Sequence, residues 1–344
     1  VNFEKRNVYL LEKAASFFLL VLCGFSPAGK LDFREGTARL MEKVGLEHLL
    51  RAPVRVCCAA EGPTTIVDEG VFFVQHTILT PAVGAEPNVV MEGMDLLNPQ
   101  ADKLVVAVHG WLDKGRNGGW PGRVAQAIYE RVDPNQWVCA AFDWRGGARV
   151  VSSIQAAEYA RDVAGPRLAA GLLALHKDFT HIHLIGHSAG SWAIHSAARR
   201  LAEYYPHATF HLTFLDAYVP SKWPPEELGT IFLRPERFQT HYWAEHYFSR
   251  DITFKVTAVP LKNAYNVDIT AVAPWIADHE FPHRWYLATI TGAYERWDEC
   301  RAEVHCCDGD VVYGFQRGLE AGPANWQHSR TLPLGTTIRL SNRP

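Results

Sequence analysis

Ten residues near the middle of the chain, His181-Ile182-His183-Leu184-Ile185-Gly186-His187-Ser188-Ala189-Gly190, limit what it can fold into more than any other stretch. The pattern predicts a short buried strand, a tight turn and then a helix. Gly-His-Ser-Ala-Gly matches Gly-x-Ser-x-Gly, a turn that lifts a Ser hydroxyl above a sheet and points a helix N-terminus at it. Gly186 and Gly190 lack a Cβ, so strand and helix can close around the turn. Unsatisfied N–H groups of the first helical turn can hold a developing oxyanion. Ala189, Ala193, Ala197 and Leu201 recur at helical spacing and give a small-residue stripe suited to close packing on a sheet. Ser188 is therefore the candidate nucleophile.

Around this turn the chain alternates strand-like and helix-like runs. Strands are expected at Leu104–His109, Trp137–Phe142, His181–Ile185, His211–Leu215 and Ile252–Val259. Helices are expected at Arg123–Arg131, at Ser152–Lys177 with a break near Gly165-Pro166, and from the turn to Tyr205. Continuous apolar strands alternating with helices imply a parallel sheet covered on both faces. Upstream, Glu35 to Leu50 is helix-like, and Val54–Ala59, Val71–Leu79 and Asn88–Met91 predict an antiparallel lead-in. Val311–Phe315 and Thr336–Leu340 are two further β-like runs.

A Ser nucleophile needs a base, an orienting acid and an oxyanion hole, in this kind of fold in the order Ser, acid, His. The strand after the turn's helix ends in Thr213-Phe214-Leu215-Asp216. An Asp at the carboxyl end of a parallel strand lies on the ligand-binding rim of the sheet. Asp216 is the expected acid, with Asp251 and Asp268 as fallbacks. His241, His246, His279, His283, His305 and His328 follow it. His279 and His283 precede a helix-like run, Arg284 to Thr291, and spacing alone does not choose between them. The others read as surface or interface residues. The N–H groups of Trp111, after Val108-His109-Gly110, and of Ala189 are the expected oxyanion donors.

Four segments carry a resemblance. Val108 to Gly115, Phe142-Asp143-Trp144-Arg145-Gly146-Gly147-Ala148, Ile185 to Gly190 and Leu215-Asp216-Ala217 occur in the order of the motifs of the pancreatic lipase family, which this chain resembles from roughly Lys103 to Gly292. The resemblance implies an α/β-hydrolase fold and carboxylic ester hydrolysis, often of lipid esters. Holding Tyr286 and Ile290 in the family register selects His279 over His283. Carried over, Ser188 is nucleophile, Asp216 acid, His279 base, and Asp143 a structural carboxylate tying neighbouring loops. The chain departs from the family in Leu-Asp-Ala for Leu-Asp-Pro and in a longer Ser188–Asp216 spacing. It shows no acidic pair for calcium within Trp223 to Phe238, has little room for a full lid, and carries no expected C-terminal β-sandwich. No cofactor or metal is therefore expected, and activity is expected to need no calcium. Tyr242, Trp243 and Tyr247 are read either as an acyl-binding wall or as core. Phospholipase A1, amidase or thioesterase chemistry on the same triad, and a non-catalytic binding protein on the same fold, are rival readings.

Composition adds bounds. Among 344 residues, 48% are hydrophobic and 21% charged, which suits a chain with a sizeable core. A net charge of −3 gives no reason to expect nucleic acid as a partner. The expected partner is a small-molecule or lipid ester, with transient contact to a membrane or micelle surface. Lys5, Arg6 and Lys13 precede an apolar run from Ala14 to Phe25, then Ser26-Pro27-Ala28. This resembles a secretory signal, so 1–28 is expected to be a signal peptide, with a cytoplasmic first helix as the alternative. Residues 29–299 are the expected catalytic domain and 300–344 a short Cys-containing extension. A secreted or periplasmic place would let Cys57, Cys58, Cys300, Cys306 and Cys307 form disulfides, while Cys139 is expected to be an inert core thiol.

Overall fold

The alternation of apolar strands and small-residue helices produces a mostly parallel sheet with helices on both faces, the α/β-hydrolase architecture. The computed structural model describes residues 70–75, 78–82, 97–113, 119–221, 223–224, 227–229, 242–250, 256–323 and 333–341. Two compact units are present, Val1–Ile66 and Val67–Pro344, and every described residue belongs to the second. The expected signal peptide, the first helix, the strands at Val54–Ala59 and Asn88–Met91, and Cys57 and Cys58 lie outside the described residues, as do His241, Asp251 and His328.

The strands are β1 (Gly70–Gln75), β2 (Ile78–Ala82), β3 (Lys103–Val108), β4 (Trp137–Asp143), β5 (His181–His187), β6 (Thr209–Leu215), β7 (Tyr242–Phe248), β8 (Tyr265–Asp268), the short pair β9 (Cys307–Asp308) and β10 (Val311–Val312), and β11 (Thr337–Arg339). The main sheet runs β11-β8-β7-β6-β5-β3-β4-β1-β2. From β11 to β4 every neighbour is parallel, and β1 joins β4 and β2 antiparallel. The run Val71–Leu79 is thus broken into two strands of a hairpin. The strand expected at Ile252–Val259 is not formed over its described part: residues 256–258 make a turn. The sheet is extended instead by β7, whose aromatic sequence read equally well as a surface wall, and by the short β8.

The helices are α1 (Trp120–Tyr129), α2 (Arg145–Ala148), α3 (Ser153–Tyr159), α4 (Gly165–Leu173), α5 (Gly190–Tyr204) and α6 (Phe281–Thr291). The expected break near Gly165-Pro166 is a π-helical turn, Ala160–Ala164, joining α3 to α4 without interruption. Pro166 has no N–H to donate, and the wider turn absorbs this one turn ahead. A Cβ on Gly165 would stand 2.5 Å from the Ala193 carbonyl oxygen, so α4 and α5 cross there backbone against backbone. On this face Leu168, Leu172, Trp192, Ala193, Ala197 and Leu201 pack against Val106, Leu184 and Leu212. The opposite face is aromatic: Trp285, Tyr286 and Phe281 of α6 and Val124 and Ile128 of α1 cover Val105, Ile185 and Tyr247. Full burial of such a side chain stabilises by about 1.5–3 kcal/mol.

The segment after Cys300 is woven into this body. β11 forms the sheet edge, pairing Ile338 with Val267. Two 3-10 turns, Gly314–Arg317 and Leu319–Ala321, place buried Phe315, Arg317 and Glu320 beneath the sheet. Cys139, Cys300, Cys306 and Cys307 are free thiols, and burial pushes the Cys139 thiol well above its ordinary value. Among the described residues no helix is long and apolar enough to cross a membrane.

Candidate active site

β5 ends at His187 and α5 starts at Gly190, so Ser188 and Ala189 are the whole turn between them. Ser188 has φ of +53°, a left-handed conformation that costs a non-Gly residue of order 1–3 kcal/mol. Its N–H donates to the Leu215 carbonyl oxygen, and its own carbonyl accepts from the Tyr218 N–H. Those bonds fasten the turn to the end of β6 and hold the strain. Added Cβ atoms show why both glycines are required: at Gly186 one would meet the Gly190 carbonyl oxygen at 2.9 Å, and at Gly190 the His109 carbonyl oxygen at 2.3 Å.

Asp216 follows β6 directly and also has a positive φ, +47°. It is fully buried. Its Oδ2 lies 2.7 Å from His279 Nδ1, and its Oδ1 accepts from the Ser249 N–H at 2.8 Å. Burial pushes the carboxyl above its ordinary range, against the opposing pull of His279, Ser249 and Thr257. The pairing orients His279 with Nδ1–H toward the carboxylate, which leaves Nε2 as the basic nitrogen. His279 lies just before α6, with its side chain 18% exposed while that of Asp216 is sealed.

His283 occupies a different position. It lies in the first turn of α6, not in a loop, bonded to Glu280 at 3.0 Å and stacked on Trp120. Asp268, the fallback acid, is taken by Arg250 and Thr270. His246, read as a surface residue, is buried in β7. It accepts from the Ala217 N–H and holds Asn266, so it supports the backbone beside Asp216. Tyr242, Trp243 and Tyr247 also belong to β7. Trp243 and Tyr247 are buried in the core, Trp243 stacked on Tyr265.

The loop after β3 faces the turn. Gly110 approaches so closely that an added Cβ would stand 2.9 Å from Ser188 Cβ. This loop is held by the two motifs that follow β3 and β4. The Trp144 indole N–H donates to the His109 carbonyl oxygen at 2.7 Å, and the Trp144 backbone N–H donates to His109 Nε2 at 2.9 Å. Asp143 binds the Arg145 side chain and backbone N–H within its own loop, and its Oδ1 lies 3.4 Å from His109 Nε2. The Trp111 indole donates to the Val150 carbonyl oxygen. Toward other described residues, the backbone N–H groups of Trp111 and Ala189 donate no hydrogen bond.

His187 was not singled out from the sequence. Burial, with His279 and His283 beside it, holds its ring well below the ordinary imidazole range. The neutral ring donates from Nε2 to the His279 carbonyl oxygen at 2.8 Å. It thus connects the turn to the loop carrying His279. The variable position of Gly-x-Ser-x-Gly was the only available signal, and it carries no information by itself.

Residues 94–224 match the family model described as Lipase. Pancreatic triacylglycerol lipase of Cavia porcellus is 34% identical over 97 residues, 27% of this chain and 20% of that protein. Pancreatic lipase-related protein 2 is 32% identical over 116 residues in Sus scrofa, 32% of this chain and 23% of that protein. In Homo sapiens it is 32% identical over 123 residues, 34% of this chain and 24% of that protein. The chain therefore aligns with about a fifth to a quarter of the length of these relatives. The family match includes Trp111, Ser188, Ala189 and Asp216 and stops short of His279.

Proposed function

We propose that this chain is a serine-dependent carboxylic ester hydrolase of the pancreatic lipase-like kind, with Ser188, His279 and Asp216 as its triad, a reading that the match of residues 94–224 to the lipase family model supports. The observation that carries this reading is the 2.7 Å contact between buried Asp216 and His279, on the rim where Ser188 is held in a left-handed turn.

In this mechanism Ser188 Oγ attacks the ester carbonyl and its proton passes to His279 Nε2. Asp216 stabilises the imidazolium. The N–H groups of Trp111 and Ala189 hold the negative charge on the carbonyl oxygen. The C–O bond to the alcohol breaks, and the alcohol leaves with the proton from His279. Water then attacks the acyl-enzyme, gives its proton to the same nitrogen, and releases the acid while Ser188 recovers its proton.

An apolar acyl group suits the surroundings. Leu112 and Val151 are exposed on the loops after β3 and β4, Ile154 at the start of α3, and Trp275 and Ile276 just before His279. These side chains support a lipid-like ester and passing contact with a micelle or membrane surface. An exported location is part of the same reading, because such substrates and the signal-like N-terminal sequence point the same way.

Labelling with a fluorescent organophosphonate tests the proposal. Wild type should be labelled, and Ser188→Ala should fold and remain unlabelled. Labelling that persists in Ser188→Ala, or a wild-type protein that folds and never labels, overturns it.

A further inference from the structure

Outside the core, the described residues hold the thiols of Cys300, Cys306 and Cys307, and ester hydrolysis uses none of them. Cys307 opens β9, and Cys306 stands just before it. In an extended strand neighbouring side chains point to opposite faces. Cys306 is not yet strand, and its sulfur lies 3.8 Å from that of Cys307. Cys307 is exposed and Cys306 half-buried. The Cys300 thiol turns instead to the Trp297 carbonyl oxygen at 3.3 Å.

The backbone around this pair is fixed on both sides. The His305 carbonyl oxygen accepts from the Trp285 indole N–H at 3.0 Å, and the Cys306 carbonyl oxygen accepts from the Tyr313 N–H at 2.7 Å. Trp285 and Tyr313 are both buried. Cys307 pairs with Val312, and Asp308 with Val311, across a tight turn for which Gly309 supplies φ of +57°. The two sulfurs are thus kept side by side by bonds that do not involve them. A disulfide ordinarily joins residues whose Cα atoms are about 4.4–6.8 Å apart. Adjacent residues across a trans peptide are held at about 3.8 Å. A bond between these two sulfurs is therefore strained, and strained or exposed disulfides are the readily reduced ones.

We propose that Cys306 and Cys307 are a reversible oxidation site, which closes to a vicinal disulfide by exchange with a small-molecule disulfide such as oxidised glutathione. The thiolate of Cys307, the more exposed residue, attacks one glutathione sulfur. That S–S bond breaks, and one glutathione leaves with the proton that Cys307 gave up. Cys306 then loses its proton and attacks Cys307 Sγ, which expels the second glutathione with that proton. Two protein thiols are oxidised, and one glutathione disulfide is reduced to two thiols. Burial and the neighbouring thiol push Cys306 up to about 11, which suits it to the second step, where proximity makes up for a scarce thiolate. The inference is independent of the esterase reading.

Thiol mapping of the full chain tests it. The protein is equilibrated with oxidised and reduced glutathione at graded ratios, quenched in acid, blocked with N-ethylmaleimide and digested with trypsin. Cuts after Arg301 and Arg317 leave Cys306 and Cys307 together on residues 302–317 and Cys300 on a separate peptide. As oxidised glutathione rises, the 302–317 peptide should pass from carrying two blocking groups to carrying none, at a mass two hydrogens below the free dithiol. An excess of reduced glutathione should reverse the change. In Cys306→Ser the second step is lost, so Cys307 should keep one glutathione. A wild-type peptide with two blocking groups at every ratio, one with two glutathiones, or one cross-linked to Cys300, Cys57 or Cys58 overturns the proposal. So does a disulfide that reduced glutathione fails to open.

Discussion

Two imidazole–carboxylate pairs of nearly equal length lie in this protein. On the rim, His279 Nδ1 meets Asp216 Oδ2 at 2.7 Å, and inside the sheet layer His183 Nδ1 meets Glu320 Oε1 at 2.6 Å. The inner imidazole even reaches a hydroxyl, Thr213 Oγ1, at 2.8 Å, which completes an acid–base–hydroxyl series. Its chemistry is nevertheless closed. Thr213 gives its proton to Glu245 Oε1, and all three residues are sealed from solvent. At the rim the serine sits in a left-handed turn, the imidazole is part-exposed, and the backbone N–H groups of Trp111 and Ala189 donate to no other described residue. Access and uncommitted donors distinguish the two sets, not the contact itself. Their acids also differ in sign. Burial raises Asp216, so keeping it ionised costs stability at neutral pH, whereas Glu245 and Glu320 are depressed and contribute stability there.

The largest expected effect separates the two sets at their bases. His279→Ala should lower kcat by about 10⁵- to 10⁶-fold on a soluble p-nitrophenyl ester. His283→Ala should remain within about tenfold of wild type, since His283 acts only through packing and Glu280. The reverse ranking would move the base to α6. Next come the acids. Asp216→Asn should cost about 10⁴-fold in kcat with little change in denaturation midpoint, because it removes a carboxylate whose burial is unfavourable. If this variant unfolds first and its kcat is intact, Asp216 is structural.

The inner hydroxyl should show the opposite pattern. Thr213→Val leaves Glu245 and His183 each short of a partner and should cost about 1–3 kcal/mol in urea unfolding, with kcat unchanged below the midpoint. A fall in kcat without loss of stability would make the inner set part of the chemistry. A smaller effect concerns pH. Glu245 and Glu320 have folded values near 2 against an ordinary 4.5, so their stabilisation is complete above about 4.5 and disappears as pH falls toward 2. Wild-type Tm should drop across that window, and Glu320→Gln should start lower and drop less. Parallel curves would contradict the depressed value. The smallest effect is a null one. Calcium added after chelation should leave the hydrolysis rate unchanged, and rate against substrate should show no jump at the solubility limit. Either a calcium-dependent recovery or an interfacial jump would bring back a family feature judged missing from the sequence.

Much of the rim was legible because its constraints are local. A sharp strand-to-helix turn needs glycines at fixed offsets, and an acid at a strand end needs only the strand. His279 lies 63 residues from Asp216, so no local pattern chose it, and a family register did. The inner layer was hidden for a related reason. His181 and His183, His211 and Thr213, and Glu245 and Tyr247 each alternate with period two, a pattern that on its own suggests a solvated face. Here that face is covered by Glu320, more than a hundred residues away from the strands β5 and β6. The same long-range cover made β7 unreadable, because its polar positions satisfy a network that only tertiary structure assembles.

The parallel pairing of β11 with β8 brings Arg339 beside Asp268. During synthesis the sheet therefore spends its last stage as an open template. β8 presents a bare strand edge, and the polar layer lacks Glu320, until the residues around 340 have left the ribosome. Bare edges of this kind are where nascent chains pair with the wrong partner. The sheet is thus completed by a strand made long after its neighbours, and its yield in the cell depends on how long that edge must wait.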